Sequence, residues 1–130
     1  MDTFSITNAT HSATPKVAFS RYAKEVLGPT YMLSVALVGD QSMRRLNRSY
    51  RGCDSATDVL AFPLENDAGE IVIDLRAVER KAQALGIGTT TYLKYVFIHA
   101  LLHLKGLEHG RTMDRLEDTW CRRFHVRKPW

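Results

Sequence analysis

The sequence predicts a single α+β domain, and three observations carry that reading. Short apolar runs of strand length, at Tyr31–Val38, Thr57–Pro63 and Gly69–Asp74, are interspersed with longer stretches whose apolar residues recur at helical spacing. Apolar residues make up 45% and charged residues 25%, the balance of an ordinary globular chain rather than a disordered one. A length of 130 residues supplies one continuous core but not two independently stable ones, and no repeat, low-complexity tract or Pro/Gly-rich linker divides it.

The elements follow in order. Phe4–Ile6 reads as a short edge strand. Pro15 opens a first helix on which Val17, Tyr22, Val26 and Leu27 recur, until Gly28-Pro29 stops it. Tyr31–Val38 is a buried strand ended by Gly39-Asp40, which can start a turn and cap the next helix. In that helix, Gln41–Tyr50, the residues Met43, Leu46 and Tyr50 share one face, and Arg44, Arg48 and Arg51 form a basic stripe on another. Thr57–Pro63 and Gly69–Asp74 are neighbouring strands joined through a turn at Asn66-Asp67. Asp74 then caps a helix carrying Leu75, Val78, Ala82 and Leu85 inward, with Gly86 as its left-handed terminator. From Thr91 to Lys105 nearly every residue is apolar, so this helix is buried on most sides. A final helix from Thr112 to Phe124 carries Asp114, Glu117 and Asp118 early and Arg122 and Arg123 late, in agreement with the helix dipole.

Several function classes drop out. No run approaches the roughly 18 consecutive apolar residues that a membrane span needs, and the opening residues lack the basic and apolar regions of a secretory signal. A cytoplasmic protein without a membrane partner is expected. Two cysteines, Cys53 and Cys121, are too few for a disulfide framework and read as free thiols. A net charge of +4 favours acidic partners without specifying one.

The chemistry concentrates in HALLHLKGLEH, where His99, His103 and His109 are spaced H-x-x-x-H-x-x-x-x-x-H. Residues four apart on a helix project from one face a single turn apart, so His99 and His103 can chelate one ion. On a continuous helix His109 would lie about 9 Å beyond His103, far outside the roughly 2 Å reach of a zinc–nitrogen bond. The helix must therefore end, and Gly106 supplies the left-handed residue that returns His109 to the other two. Three imidazoles buried in an apolar segment each need a partner, and one zinc ion (Zn2+) serves all three. Three histidines would leave a position open for water, as catalytic zinc requires; the competing arrangement is a structural zinc closed by Cys121. The segment also superficially matches the H-E-x-x-H-x-x-G-x-x-H pattern of metzincin proteases, but Ala100 stands where their general base would be. A protease-like hydrolase is accordingly the second reading.

With these residues in view, the chain resembles the YbeY family of bacterial endoribonucleases, the ribosomal RNA maturation factors. HALLHLKGLEH is similar to that family's histidine signature, and LNRSYRG (Leu46–Gly52), TDVLAFP (Thr57–Pro63) and GEIVI (Gly69–Ile73) match in the same order. The resemblance implies a mixed four-stranded sheet packed with helices, one zinc ion on the three histidines, and cleavage of single-stranded RNA. It further implies work on the small-subunit ribosomal RNA 3′ end and in ribosome quality control, with the ribosome or small-subunit assembly factors as partners. The family's characteristic arginine falls on Arg51, which would form charge-assisted hydrogen bonds to the phosphate. Arg44, Arg45 and Arg48 would guide the RNA backbone without reading its sequence. Departures are Ala100 for glycine, Ala61 for serine, and Leu107-Glu108 for an aromatic–aspartate pair; all spare the histidines. Glu108 and Asp58 read as orienting or capping groups, so the general base stays unassigned, and His11 and His125 stand outside the cluster. A third reading, from a different class, is a non-catalytic ribosome assembly factor with structural zinc.

Overall fold

A computed structural model of the protein describes residues 3–52 and 57–129, the Arg51 side chain excepted; Cys53 therefore lies outside the described residues. In chain order the elements are β1 (Phe4–Asn8), α1 (Phe19–Leu27), β2 (Met32–Val38), α2 (Asp40–Arg51), β3 (Val59–Glu65), β4 (Ala68–Asp74), α3 (Leu75–Leu85), α4 (Thr89–Leu104) and α5 (Arg111–Arg123). The strands form one mixed sheet in the order β1-β2-β4-β3. β1, β2 and β4 run parallel, whereas β3 is antiparallel to β4 and forms an edge. The α+β class and the four-stranded sheet are as expected.

Side-chain alternation along the strands splits the apolar residues between two faces. Leu33, Val35 and Leu37 of β2 and Ile71 and Ile73 of β4 enter the main core, with residues of α1, α3, α4 and α5. On the opposite face Val38, Leu60 and Val72 meet Met43 of α2 in a smaller cluster, joined by Leu46 and Phe62. α4 is the central helix: Leu93, Phe97, Ile98, Leu101 and Leu102 are fully buried, because β3, α1, α3 and α5 all pack against it. An all-round apolar helix needs that enclosure. At its C-terminal end Leu104 lies against Gly69 of β4, where any Cβ would strike the Tyr31 hydroxyl and meet Leu104 at 3.0 Å. Glycine lets the helix end seat directly on the sheet.

Local signals set most boundaries. Asp74 accepts hydrogen bonds from the backbone N–H groups of Arg76 (3.0 Å) and Ala77 (3.2 Å), capping α3, and Gly86 ends it at a φ of 70°. Pro63 is tolerated in β3 because that strand is an edge, and the pairing with β4 shifts between Pro63 and Glu65. Two expectations need correction. The first helix, expected to open at Pro15, begins at Phe19, so Val17 precedes it. Asp40 makes no cap hydrogen bond; it is the first helical residue of α2, with Gly39 as N-cap, and its two oxygens each accept a 3.0 Å hydrogen bond from Arg80 of α3. Among the described residues no helix is long and apolar enough to cross a membrane.

Candidate metal centre

The site forms where α4 stops. Lys105 caps the helix, Gly106 adopts a φ of 92°, and its N–H donates to the His103 carbonyl (2.9 Å) while the Leu107 N–H donates to the Leu102 carbonyl (3.2 Å). This left-handed termination reverses the chain. It carries His109 back to ring-centroid distances of 5.3 Å from His99 and 5.0 Å from His103, which are themselves 4.6 Å apart. One ring nitrogen from each histidine lies within 4.8 Å of the others. The predicted triad is thus assembled, with His99 and His103 half-buried and His109 exposed.

Hydrogen bonds dictate which nitrogens face inward. His103 Nδ1 is 3.0 Å from the Leu107 carbonyl oxygen, which can only accept, so Nδ1 carries the proton. His99 Nδ1 is 2.6 Å from Glu117 Oε2 and likewise donates to the carboxylate. In the neutral rings both Nε2 atoms then present lone pairs, and these converge at 3.0 Å. Two facing lone pairs repel unless a cation lies between them. Nitrogens bound to a tetrahedral zinc at about 2.0–2.1 Å stand about 3.3 Å apart, so this spacing is within a few tenths of an ångström of a chelate. Three neutral imidazoles are also a donor set suited to zinc. The residues present therefore fit the ion.

Glu117 is the member that sequence reading assigned elsewhere. Only 2% exposed, it accepts from His99 through one oxygen and from the Tyr95 hydroxyl (2.8 Å) through the other. Burial alone would raise its pKa, but the hydrogen bonds from His99 and Tyr95 outweigh that and hold its carboxyl below the usual range. Tyr95 is raised by burial and by Glu117, so it stays a donor. His103 is lowered chiefly by burial and then by His99, which favours the neutral, ligating form. The missed signal was positional. Met113, Glu117 and Cys121 are four residues apart on α5, and both flanking side chains are buried, so the glutamate lies on the inward face. Tyr95, four residues before His99, sits on the ligand face of α4 in the same way.

Cys121 does not join the group that could hold a metal. It is buried in the main core and is not brought to the three histidines, so the closed site with a cysteine ligand is not formed; burial also raises its thiol to about 11. Asp58 accepts a 2.7 Å hydrogen bond from the Tyr92 hydroxyl. Glu108 is exposed beside His109. Both line a cleft of about 950 Å³ that holds the three histidines, with Val59 and Ala61 of β3 on one wall and Val96 and Ala100 of α4 on another. Arg44, Arg45 and Arg48 are exposed on α2, and Arg51 is its last residue, with a side chain outside the described residues. His11 and His125 are exposed and take no part.

Comparison with known proteins shows the family of the chain. A family model described as Endoribonuclease YbeY matches residues 2–121. Relatives of that name include one from Helicobacter pylori, 43% identical over 90 residues, which are 66% of this chain and 64% of the relative. Another, from Treponema pallidum, is 36% identical over 120 residues, 75% of this chain and 74% of the relative. The chain thus spans about two thirds of the length of the Helicobacter relatives. A solution structure of a Thermotoga maritima protein superposes with a TM-score of 0.64 at 27% identity, covering 90% of this chain and 85% of that one. With the family match running through all four motifs and all three histidines, this chain belongs to the YbeY family.

Proposed function

We propose that the protein is a zinc-dependent endoribonuclease that cleaves single-stranded RNA, acting on the small-subunit ribosomal RNA 3′ end and in ribosome quality control. The observation that carries the metal half of this reading is the convergence of His99 Nε2 and His103 Nε2 at 3.0 Å, with both Nδ1 atoms already donating. The RNA half rests on relatives named endoribonucleases.

His99, His103 and His109 would hold the ion, Glu117 and the Leu107 carbonyl fixing two of the rings in the ligating tautomer. When bound, zinc supplies a Lewis acid that polarises a phosphate oxygen or acidifies a water at neutral pH. Arg51 would pair with the phosphate and offset charge developing on it. Arg44, Arg45 and Arg48 would attract the RNA backbone independently of sequence. Ala100, next to His99, contributes a buried methyl group where a zinc peptidase needs a carboxylate, which weighs against peptide hydrolysis.

The test is cleavage of single-stranded RNA by purified protein with and without chelator, alongside Arg51→Ala and His103→Ala. Loss of cleavage on chelation and in both variants is expected. A folded protein that binds zinc yet leaves RNA intact refutes the nuclease and favours a ribosome assembly factor; peptide hydrolysis instead would revive the protease reading.

A further inference from the structure

The histidine cleft does not end at the metal site. Val59 and Ala61 of β3 pack against the main core that holds α4, while Leu60 and Phe62 point to the opposite face. Phe62, Pro63 and Tyr50 nonetheless line the same cleft as the histidines, so it passes over the sheet edge at β3 and finishes on the α2 side. There the Tyr50 ring leans on Phe62, centroids 5.0 Å apart and planes tilted by 54°.

Tyr50 does no work in the core. Met43 is fully buried and Leu46 and Phe62 complete the small cluster under α2, from which Tyr50 is absent; 68% of it is exposed. Phe62 is therefore an anchored ring, and Tyr50 an open one resting against it. The helix that ends in Tyr50 and Arg51 also presents Arg44, Arg45 and Arg48 to solvent. Those arginines occupy another face of α2 from Tyr50 and line a shallow hollow of their own with Gln41, so they attract phosphates to this side of the molecule while the open ring offers a platform for a base, the two elements by which proteins hold single strands without reading them.

We propose that Tyr50 and Phe62 form a stacking platform that receives one unpaired base of single-stranded RNA, while the neighbouring phosphodiester lies at the histidine end of the cleft; this rests on the ribonuclease reading above. Because every base has a stackable face, the platform selects for an unpaired strand and not for a sequence. A duplex, whose bases are already stacked on one another, cannot use it.

The test compares wild type, Tyr50→Ala and Tyr50→Trp on short single-stranded RNA. Binding is read in the presence of chelator, from the fluorescence of 2-aminopurine placed at successive positions, and KM and kcat are read with metal. Tyr50→Ala is expected to weaken binding and raise KM by about 5- to 100-fold with kcat little changed. Tyr50→Trp should restore both, and the quenching of 2-aminopurine at one position should vanish in Tyr50→Ala alone. Unchanged affinity and quenching in Tyr50→Ala, on RNA that wild type cleaves, overturns the platform and leaves the ribonuclease standing. Failure of wild type to bind or cleave RNA removes both.

Discussion

Replacing Glu117 by glutamine tests the hydrogen-bond logic of the metal centre most directly. The carboxylate accepts two hydrogen bonds, from His99 Nδ1 at 2.6 Å and from the Tyr95 hydroxyl at 2.8 Å. A glutamine offers one acceptor and one donor to these two donors, so one of them must lose its partner. If the amide NH2 faces His99, the ring proton moves to Nε2 and occupies the lone pair a metal needs. If it faces Tyr95, a buried hydroxyl is left opposed to a donor and the hydrogen bond from His99 Nδ1 loses its charged acceptor. Losing a charge-assisted hydrogen bond costs about 1.5–3 kcal/mol. Removing such an orienting partner costs about 10- to 100-fold in metal affinity, or about 1.4–2.7 kcal/mol, so two independent scales agree. Glu117→Gln should therefore bind zinc about 10- to 100-fold more weakly in competition with a chromophoric chelator. Tyr95→Phe, which keeps the carboxylate and its bond to His99, should lose much less. Affinity within about twofold of wild type for Glu117→Gln, well under that 10-fold floor, would refute the claim that Glu117 holds His99 in its ligating tautomer.

Three further outcomes follow from the same structure. Zinc bound only by the folded protein should stabilise it by about 2.7 kcal/mol at a hundredfold excess over Kd, so chelation lowers Tm, and His103→Ala should show no such shift in a thermal melt. Gly69→Ala should cost about 1–3 kcal/mol in urea unfolding, because its Cβ would press on the Tyr31 hydroxyl and on Leu104, one residue after His103; a variant as stable as wild type would show that the helix end can move. Asp74, fully buried, is raised to about 6 by burial and then by Asp40, which Arg80 in turn holds down at about 2. A raised folded-state pKa stabilises below the unfolded value and is lost as pH rises through about 6, so this group removes up to about 3 kcal/mol between pH 4 and pH 7. An asparagine in its place would still cap α3, so Asp74→Asn should be the more stable protein at pH 7 and equal to wild type near pH 4 by denaturant titration; the reverse order at pH 7 would contradict it.

Features encoded by neighbouring residues were legible in the sequence. Asp74 and Gly86 bracket α3 through bonds to residues two to five positions away, and His99, His103 and Gly106 announce a chelate because helical pitch alone puts them together. The unbroken apolar character of α4 likewise required a central position. What escaped depends on packing between distant segments. Glu117 meets His99 across 18 residues and Asp40 meets Arg80 across 40, and no local pattern distinguishes a carboxylate with such a partner from one that merely complements a helix dipole. The edge position of β3 had one local signal, Pro63, which cannot donate within a central strand, but the order that sets β3 beside β4 depends on pairing between segments. That edge decides where the cleft can leave the sheet.

The two half-buried histidines are held by different kinds of atom: His99 by a glutamate side chain, His103 by the main-chain carbonyl of Leu107. The first can be changed by a single codon, so variation at Glu117 can dial the grip on the metal up or down. The second survives any substitution at Leu107 that keeps the turn, because every residue brings a carbonyl. The centre thus combines a setting that mutation can adjust with one that it can reach only by unmaking the bend at Gly106.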